Sequence, residues 1–528
     1  MDRAQQIDRL SERRLWDLVV IGGGATGLGI AVDAASRGYD VCVLEAEDFA
    51  KGTSSRSTKL VHGGVRYLQQ GNVSLVMEAL HERGLLRRNA PHLVRDLPFV
   101  VPSYQWWESP FYGVGLKVYD LLAGRYGFGR SQHLSAEEVL ERIPNVDRQG
   151  LRGGTLYHDG QFDDSRLAVD LARTAVSHGA AVVNRCPVRA FLRVAPASGS
   201  GELAGVVAHD LEGGRELEIR GKVVVNATGA FADSVRRLLD RAASPMIAPS
   251  RGVHLVLDRD FLAGDHAIMV PHTSDGRVMF AVPWHHVVVL GTTDTPVPEA
   301  TLEPVADEEE IDFILETAAR YLQREPSRGD VRSVFAGVRP LVKLGDGHNT
   351  AALSRDHTIH IDPESGLVTI AGGKWTTYRR MAEDLVNQAI TLGDLPPRPC
   401  VTETLQIHGW MESGDPDWVN HPLATYGSDA PGVQSLADGD PTLAAAIHPR
   451  LPTTFAEVVF AVRHEMALGV EDALARRTRA LLFDAQAAIE AAPAVAALMA
   501  RERGRDAAWA EADTRRFRAV ARNYICER

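Results

Sequence analysis

Six residues, Gly22-Gly23-Gly24-Ala25-Thr26-Gly27, constrain the fold of this chain more than any other stretch. They follow Trp16-Asp17-Leu18-Val19-Val20-Ile21, a short apolar run rich in β-branched residues that reads as a buried parallel strand. A helix-like stretch from about Leu28 to Ser36 comes next, closed by Gly38. A second strand, Val41–Leu44, ends at Glu45. Strand, glycine turn, helix, strand and acid in this order are the signature of a dinucleotide-binding βαβ unit. Gly22 permits the tight turn, Gly24 lets the backbone approach a pyrophosphate, and Gly27 lets the helix pack closely on the sheet. The N–H groups at the helix start, those of Ala25 and Thr26 included, favour an anionic phosphate. Glu45 stands where an acid bonds a ribose hydroxyl. The motif alone does not separate a nicotinamide dinucleotide from a flavin dinucleotide.

A chain of 528 residues is too long for one core, since single cores stop growing at roughly 250–300 residues, so two or three domains are expected. The formal net charge of −12 argues against a nucleic-acid binder. Cys42, Cys186, Cys400 and Cys526 lie far apart, with no metal-ligand spacing, and read as thiols in a reducing compartment. No metal is expected. Met1–Arg14 is charged and lacks the apolar stretch of a secretion signal, and no apolar run reaches the roughly 20 residues of a spanning helix.

Lys51 to Gly71 reads as a polar loop with glycines at Gly63-Gly64, followed by a helix from about Ser74 to Asn89. Pro98 to Phe128 is rich in aromatics. Val223–Ala230 reads as a buried strand ending in a tight turn, further strands are expected at His254–Leu257, Val278–Val282 and Val287–Leu290, and helices at Ala306–Leu322 and Arg379–Thr391. Leu395-Pro396-Pro397-Arg398-Pro399 is a linker. Beyond it, helices are expected at Phe455–Met466, Val470–Glu490 and Trp509–Ile525, with Pro493 interrupting an Ala-rich tract.

Two further turns resemble parts of two-motif flavoproteins. Asn226-Ala227-Thr228-Gly229-Ala230 resembles their second dinucleotide signature, and Gly372-Gly373, before a helix, resembles their third flavin contact. The whole set then resembles one family, the FAD-dependent, quinone-linked glycerol-3-phosphate dehydrogenases. The likeness is carried by Thr53-Ser54-Ser55-Arg56-Ser57-Thr58-Lys59-Leu60-Val61-His62-Gly63-Gly64-Val65-Arg66-Tyr67-Leu68, similar to the family's flavin-covering segment. Pro283-Trp284, Leu290–Asp294, Ala336–Leu341, Gly372–Arg379 and Asp472–Thr478 add to it. Trp375, where family members often carry Leu, departs from the pattern, and the stretch around Asp415–Ala445 matches little.

The resemblance implies an α/β fold: a two-motif, Rossmann-type FAD-binding domain, an interleaved β-rich substrate domain and a C-terminal all-α cap. Residues 1–395 would form the oxidoreductase region, with FAD-binding parts near 12–95, 150–245 and 345–395 and substrate parts near 96–149 and 246–344; residues 401–528 would form the helical domain. It implies oxidation of sn-glycerol 3-phosphate to dihydroxyacetone phosphate, with hydride transfer to FAD and electrons passed to a membrane quinone. Cofactor contacts would come from Gly22, Gly24, Ala25, Thr26, Gly27, Glu45, Thr53, Ser54, Ser55, Lys59, Leu60, His62, Gly63, Gly64, Ala227, Thr228, Gly229, Asp294, Gly372, Gly373, Thr376 and Thr377. Arginine's planar fork suits a phosphate dianion, so Arg339 is the leading phosphate ligand, with Arg66, Lys374 and Tyr67 beside it; Lys374 has contact with the flavin as an alternative. His62 is the leading proton acceptor and His254 the second. His285-His286 reads as a strand end rather than a metal site.

A quinone lives in the bilayer, so a monotopic contact with the inner face of the cell membrane, on a cytoplasmic protein, is expected. Trp106 to Phe128, with Lys117, Arg125 and Arg130 beside its rings, is the expected contact segment. A homodimer accords with the family. Three rival readings stand at this point: an oxidase passing electrons to oxygen, an RNA-modifying flavoprotein, and a catalytically silent FAD-binding scaffold.

Overall fold

A computed structural model describes all residues except 14, 70, 195–202, 272, 274–275, 344–356, 413–420 and 528, and describes the backbone alone at 66 and 69. Its organising element is a mostly parallel sheet that runs His357–Ile361, Val368–Gly372, Arg215–Asn226, Trp16–Ile21, Val41–Leu44, Ala181–Val183. The Trp16–Ile21 strand pairs in parallel with its neighbours on both sides, Leu18 opposite Val223 and opposite Val41. Its side chains and those of Val41–Leu44 are almost all buried, as a parallel strand covered on both faces requires. The sheet is therefore assembled from segments far apart in the chain, and the three cofactor turns leave the carboxyl ends of three adjacent strands.

The helix after the first glycine turn spans Ala25–Ser36 and starts three residues before the sequence suggests. The Ser54 hydroxyl accepts from the Ala25 N–H at 3.0 Å, and this cap arrives from a distant part of the chain. Lys51 to Gly71 is more ordered than a loop. It holds a 3₁₀ turn at Thr53–Ser55, a short strand at Leu60–Val61 paired with Gly160 and Gln161, and a helix at Val65–Gln69.

The second sheet has ten strands and is mostly antiparallel. It combines Leu60–Val61, Val94–Ser103, Gln132–Ser135 and Gly153–Phe162 with strands from Ile247–Asp258 through Ser333–Val342, so one sheet joins two separated parts of the sequence. The Glu108–Ala123 helix lies across it, burying Tyr112, Leu116, Tyr119 and Ala123.

The C-terminal part is helical, with an apolar core around Val459, Leu474, Leu481, Val495 and Met499 that also takes in Trp284, Val289 and Phe335 of the second sheet. The stretch Val470–Glu490 is not one helix. A π-helical turn spans Asp472–Arg477, Arg479 takes a left-handed conformation (φ +64°), and a new helix starts at Ala485 behind the Asp484 cap. Pro493 sits inside that Ala485–Glu502 helix without ending it. Leu395-Pro396-Pro397-Arg398-Pro399 has no regular structure but is not a loose tether. Leu395 is buried, and the Tyr39 hydroxyl donates to the Pro396 carbonyl at 2.6 Å.

Buried ion pairs join the helical part to the sheets. Arg477 donates to Asp48 at 2.8 Å, Arg476 to the same carboxylate at 2.5 Å, and Arg479 to Asp164 at 2.8 Å. These arginines hold the Asp48 carboxyl far below the usual carboxylate range despite its burial. All four cysteines are unbonded to one another, and no described helix is long and apolar enough to cross a membrane.

Candidate active site

The glycine turn forms a cradle of bare backbone. Gly22 has φ +110°, and a Cβ there would lie 2.7 Å from the Ala227 carbonyl oxygen. A Cβ at Gly27 would lie 1.9 Å from the Gly22 oxygen, so close packing of helix on strand demands glycine. Glu45 turns back on the same turn: it accepts from the Gly23 N–H at 2.6 Å and from the Glu47 N–H at 2.8 Å. Burial pushes its carboxyl up to about 7, against those two hydrogen bonds.

From this cradle a cavity of about 610 Å³ runs across the carboxyl ends of the parallel strands. Gly22, Gly24, Ala25, Thr26 and Glu45 line one end; Ala227, Thr228 and Gly229 the middle; Gly372, Gly373 and Lys374 the other end. Gly372 and Gly373 have φ +77° and +74°, so the third turn needs glycine as the first does. Thr53, Ser54, His62, Tyr67, His254 and Arg339 complete the walls. The bare turns, a buried acid at the ribose end and a long continuous cavity between two glycine cradles fit FAD.

Several residues expected at the cofactor do not line this cavity. Lys59 does not reach the cavity. Its ammonium is fully buried, bonded to the Asp164 carboxylate at 2.7 Å and the Ser55 carbonyl at 2.8 Å, and it lies 5.4 Å from the Trp284 ring centre. Ser55, Gly63, Gly64, Thr376 and Thr377 stand behind the wall and support it, while Leu60 and Asp294 face a second cavity. The Gly63 N–H donates to the Tyr119 hydroxyl at 2.8 Å, and the His62 N–H to the Thr376 hydroxyl at 3.2 Å. The Arg66 side chain lies outside the described residues.

The second cavity, of about 860 Å³, meets the first at Thr58, His62, Tyr67 and Arg339, which line both. Its far walls are apolar: Phe99, Phe111, Leu116, Val118, Tyr157 and Phe280. At the junction, Arg339 donates to Asp294 at 3.2 Å, to the Thr292 hydroxyl at 3.1 Å and to the Thr293 carbonyl at 3.0 Å, which fixes its fork toward the cavities. The Lys374 ammonium stands 4.0 Å from the Tyr67 ring centre. His254 is 2% exposed, stacks on Phe335 at 4.7 Å and shares a 2.8 Å hydrogen bond with the Thr58 hydroxyl. Burial, with Arg339 and Lys59 nearby, holds its imidazole well below the usual range, so it is neutral.

Sequence reasoning missed Trp375 and Thr58. The Trp375 indole donates to the Ser54 carbonyl at 2.9 Å, which ties the third turn to the segment that caps the first. Its departure from Leu was the available signal. Arg479 and Asp164 were missed because they act only through long-range contacts. His285 and His286 form the turn between two strands, as expected, and no described group of three His, Cys, Asp or Glu residues could hold a metal ion.

Comparison with known proteins agrees with this geometry. Residues 17–379 match the family model "FAD dependent oxidoreductase", and residues 366–510 match "C-terminal domain of alpha-glycerophosphate oxidase". The chain is 40% identical to mitochondrial glycerol-3-phosphate dehydrogenase of Rattus norvegicus, over 95% of this chain and 72% of that protein. It superposes on the glycerol-3-phosphate dehydrogenase of Bacillus halodurans complexed with FAD with a TM-score of 0.78, at 30% identity, over 99% of this chain and 97% of that one. The L-α-glycerophosphate oxidase of Mycoplasma pneumoniae, with FAD bound, shares the fold over 76% of this chain and 100% of its own, at 16% identity and a TM-score of 0.57. With its glycine cradles, its paired cavities and these likenesses taken together, the chain belongs to the family of FAD-dependent glycerol-3-phosphate dehydrogenases.

Proposed function

We propose that this chain oxidises sn-glycerol 3-phosphate to dihydroxyacetone phosphate and hands the electrons to a membrane quinone. The observation that carries the reading is the junction of the two cavities, where Arg339, His62, Tyr67 and Thr58 face one shared space at the end of the cofactor cradle. FAD bound in that cradle supplies the acceptor for the hydride that leaves substrate C2. The side chains supply the rest. Arg339 presents a fixed, planar cation to the phosphate, and Lys374 and Tyr67 stand beside it. His62 takes the C2 hydroxyl proton. His254 is a poor base in this setting, buried and held neutral, and serves to orient Thr58.

The second cavity supports a lipophilic acceptor. It is walled by the Glu108–Ala123 helix, whose Phe111 (54%), Val114 (67%) and Val118 (41%) line it and stay exposed at its mouth, with Leu121 (80%) exposed one turn further on. Trp106, 76% exposed, extends the same apolar surface. Residues 111, 114, 118 and 121 form one stripe at helical spacing, suited to lying in a bilayer interface. The protein would then sit on the inner face of the cell membrane, and a dimer would be compatible with that placement.

Anaerobic addition of sn-glycerol 3-phosphate to the yellow holoprotein should bleach its flavin band near roughly 450 nm. Fast reoxidation by a soluble quinone and slow reoxidation by air is the expected pair. A band that does not bleach removes the substrate assignment, and fast reoxidation by air moves the chain to the oxidases.

A further inference from the structure

A third cavity, of about 900 Å³, lies between the second sheet and the helical domain and shares no lining residue with the other two. It falls in the size range of small-molecule sites, roughly 300–1,000 Å³. Its apolar wall is Trp284, Phe483, Leu423 and Val433, all buried. The rings of Trp284 and Phe483 are 5.2 Å apart, and His286 stands 4.5 Å from Phe483.

The charges around this cavity do not cancel. Each carboxylate in its wall already has a partner. Asp96 meets His158 Nδ1 at 3.0 Å, Asp163 faces Arg479 at 3.6 Å, and burial pushes Glu457 up to about 7 in its Thr454 capping box. The deep arginines are engaged too: Arg477 with Asp48 and Arg479 with Asp164. Arg87 and Arg95 are different, because among the described residues neither has a carboxylate partner. Arg95 stands in the Val94–Ser103 strand, and its Nε donates to the Gln161 amide oxygen at 2.7 Å. Gln161 is held in turn by its own bond to the Pro283 carbonyl at 2.6 Å. A guanidinium fixed by a neutral amide keeps its positive charge and turns its remaining N–H groups outward. Exposed cations at the rim of a cleft with a buried aromatic wall are the two halves of a site for an anion with an apolar body.

We propose that this cleft binds an amphipathic organic anion, with its carboxylate or phosphate on Arg95 and Arg87 and its apolar chain along Trp284, Phe483 and Leu423. Nothing in the oxidation of sn-glycerol 3-phosphate uses this space, so it is a second ligand site. It lies close to the flavin segment. The Trp284 ring that forms its floor is 5.4 Å from both the Lys59 ammonium and the Arg479 guanidinium, and both of these hold Ser55.

Calorimetric titration of the holoprotein with decanoate and with decyl phosphate, each below its micelle concentration, tests the site. Saturable one-to-one binding is expected for at least one of them, and the tighter of the two identifies the headgroup. Affinity should fall about tenfold or more for decanol, which lacks the charge, and for Arg95→Glu. Arg95→Gln, with the flavin spectrum as a check on folding, should fall in the same direction. Absence of saturable binding would overturn the proposal. Equal affinity in the wild type and both Arg95 variants would overturn it too, because the anion would then sit elsewhere.

Discussion

The Arg479 guanidinium, from the helical domain, donates to the Asp164 carboxylate at 2.8 Å, and both side chains are at most 3% exposed. The same carboxylate receives the Lys59 ammonium at 2.7 Å and the Ser57 hydroxyl at 2.7 Å. One acid thus joins the helical domain to the segment that walls the cofactor cavity. The pairing also offsets the burial cost of two cations whose other nearby countercharge, Asp163, stands 3.6 Å from Arg479.

Asp164→Ala should therefore be severe. It removes the hydrogen-bonded carboxylate of two buried cations, and breaking a buried pair in this way costs on the order of 3–5 kcal/mol. A lower melting temperature, together with faster loss of FAD on gel filtration, is the expected pair of results. A variant that melts like the wild type and keeps its flavin would remove Asp164 from this role.

The Glu45 carboxyl gives a pH signature in the apoprotein. Burial raises it from 4.5 to about 7, so the folded state binds a proton that the unfolded chain releases between those values. Its contribution to stability is full below about 4.5 and is lost as pH rises toward 7, on the order of 3 kcal/mol across the window. Glu45→Gln removes this term. Subtracting apoprotein melts at pH 5 and pH 8, wild type against variant, should show the difference; identical pH dependence would contradict it.

Arg339→Lys keeps the charge and loses the fork. The expected outcome is a fall in kcat/KM for sn-glycerol 3-phosphate of roughly 10–100-fold with an unchanged flavin spectrum. Steady-state kinetics with a soluble acceptor measure it, and an unchanged kcat/KM would place the phosphate elsewhere.

His62→Asn should slow flavin reduction by substrate about 10²–10⁴-fold while FAD stays bound. His254→Asn should slow it much less, because that imidazole is held neutral behind Thr58. Stopped-flow reduction without oxygen compares the two. The reverse ranking would exchange their roles.

Replacing Trp106 and Leu121 together by Ser should sharply weaken vesicle binding and leave turnover with a soluble quinone close to normal, because neither side chain lines the second cavity. The two side chains are 76% and 80% exposed, so little packing is lost. Each contributes about 1.5–3 kcal/mol if fully buried in lipid. Unchanged sedimentation with vesicles would reject the membrane role of this helix.

The cofactor cradle was legible in the sequence because its rules are local. A positive φ at Gly22 and the backbone approach at Gly27 leave only glycine, and glycine is visible. The helix start at Ala25 was less visible, since its cap is Ser54. The burial of the Lys59 ammonium was hidden for the same reason: its partner Asp164 is 105 residues away. In the helical domain, hydrophobic spacing read through the break at Arg479, although Asp484 before Ala485 was a usable stop-and-start signal. Pro493 misled in the other direction, because packing of the Ala485–Glu502 helix outweighs one lost N–H. Arg339 and His62 were identified by resemblance; the meeting of two cavities between them needed the three-dimensional structure.

The strand order of the cofactor sheet has a consequence for how the protein is made. Its central strands come from residues 16–21, 215–226 and 368–372, and the arginine that steadies the covering segment is residue 479. A ribosome emits the first glycine turn, at residues 22–27, long before the last buttress at residue 479. Emerging chain therefore carries an open, apolar-edged half-sheet through most of its synthesis, the condition in which large proteins aggregate or recruit chaperones. Cofactor loading belongs to the finished polypeptide, and a truncated transcript should yield a colourless, insoluble product rather than a weaker enzyme.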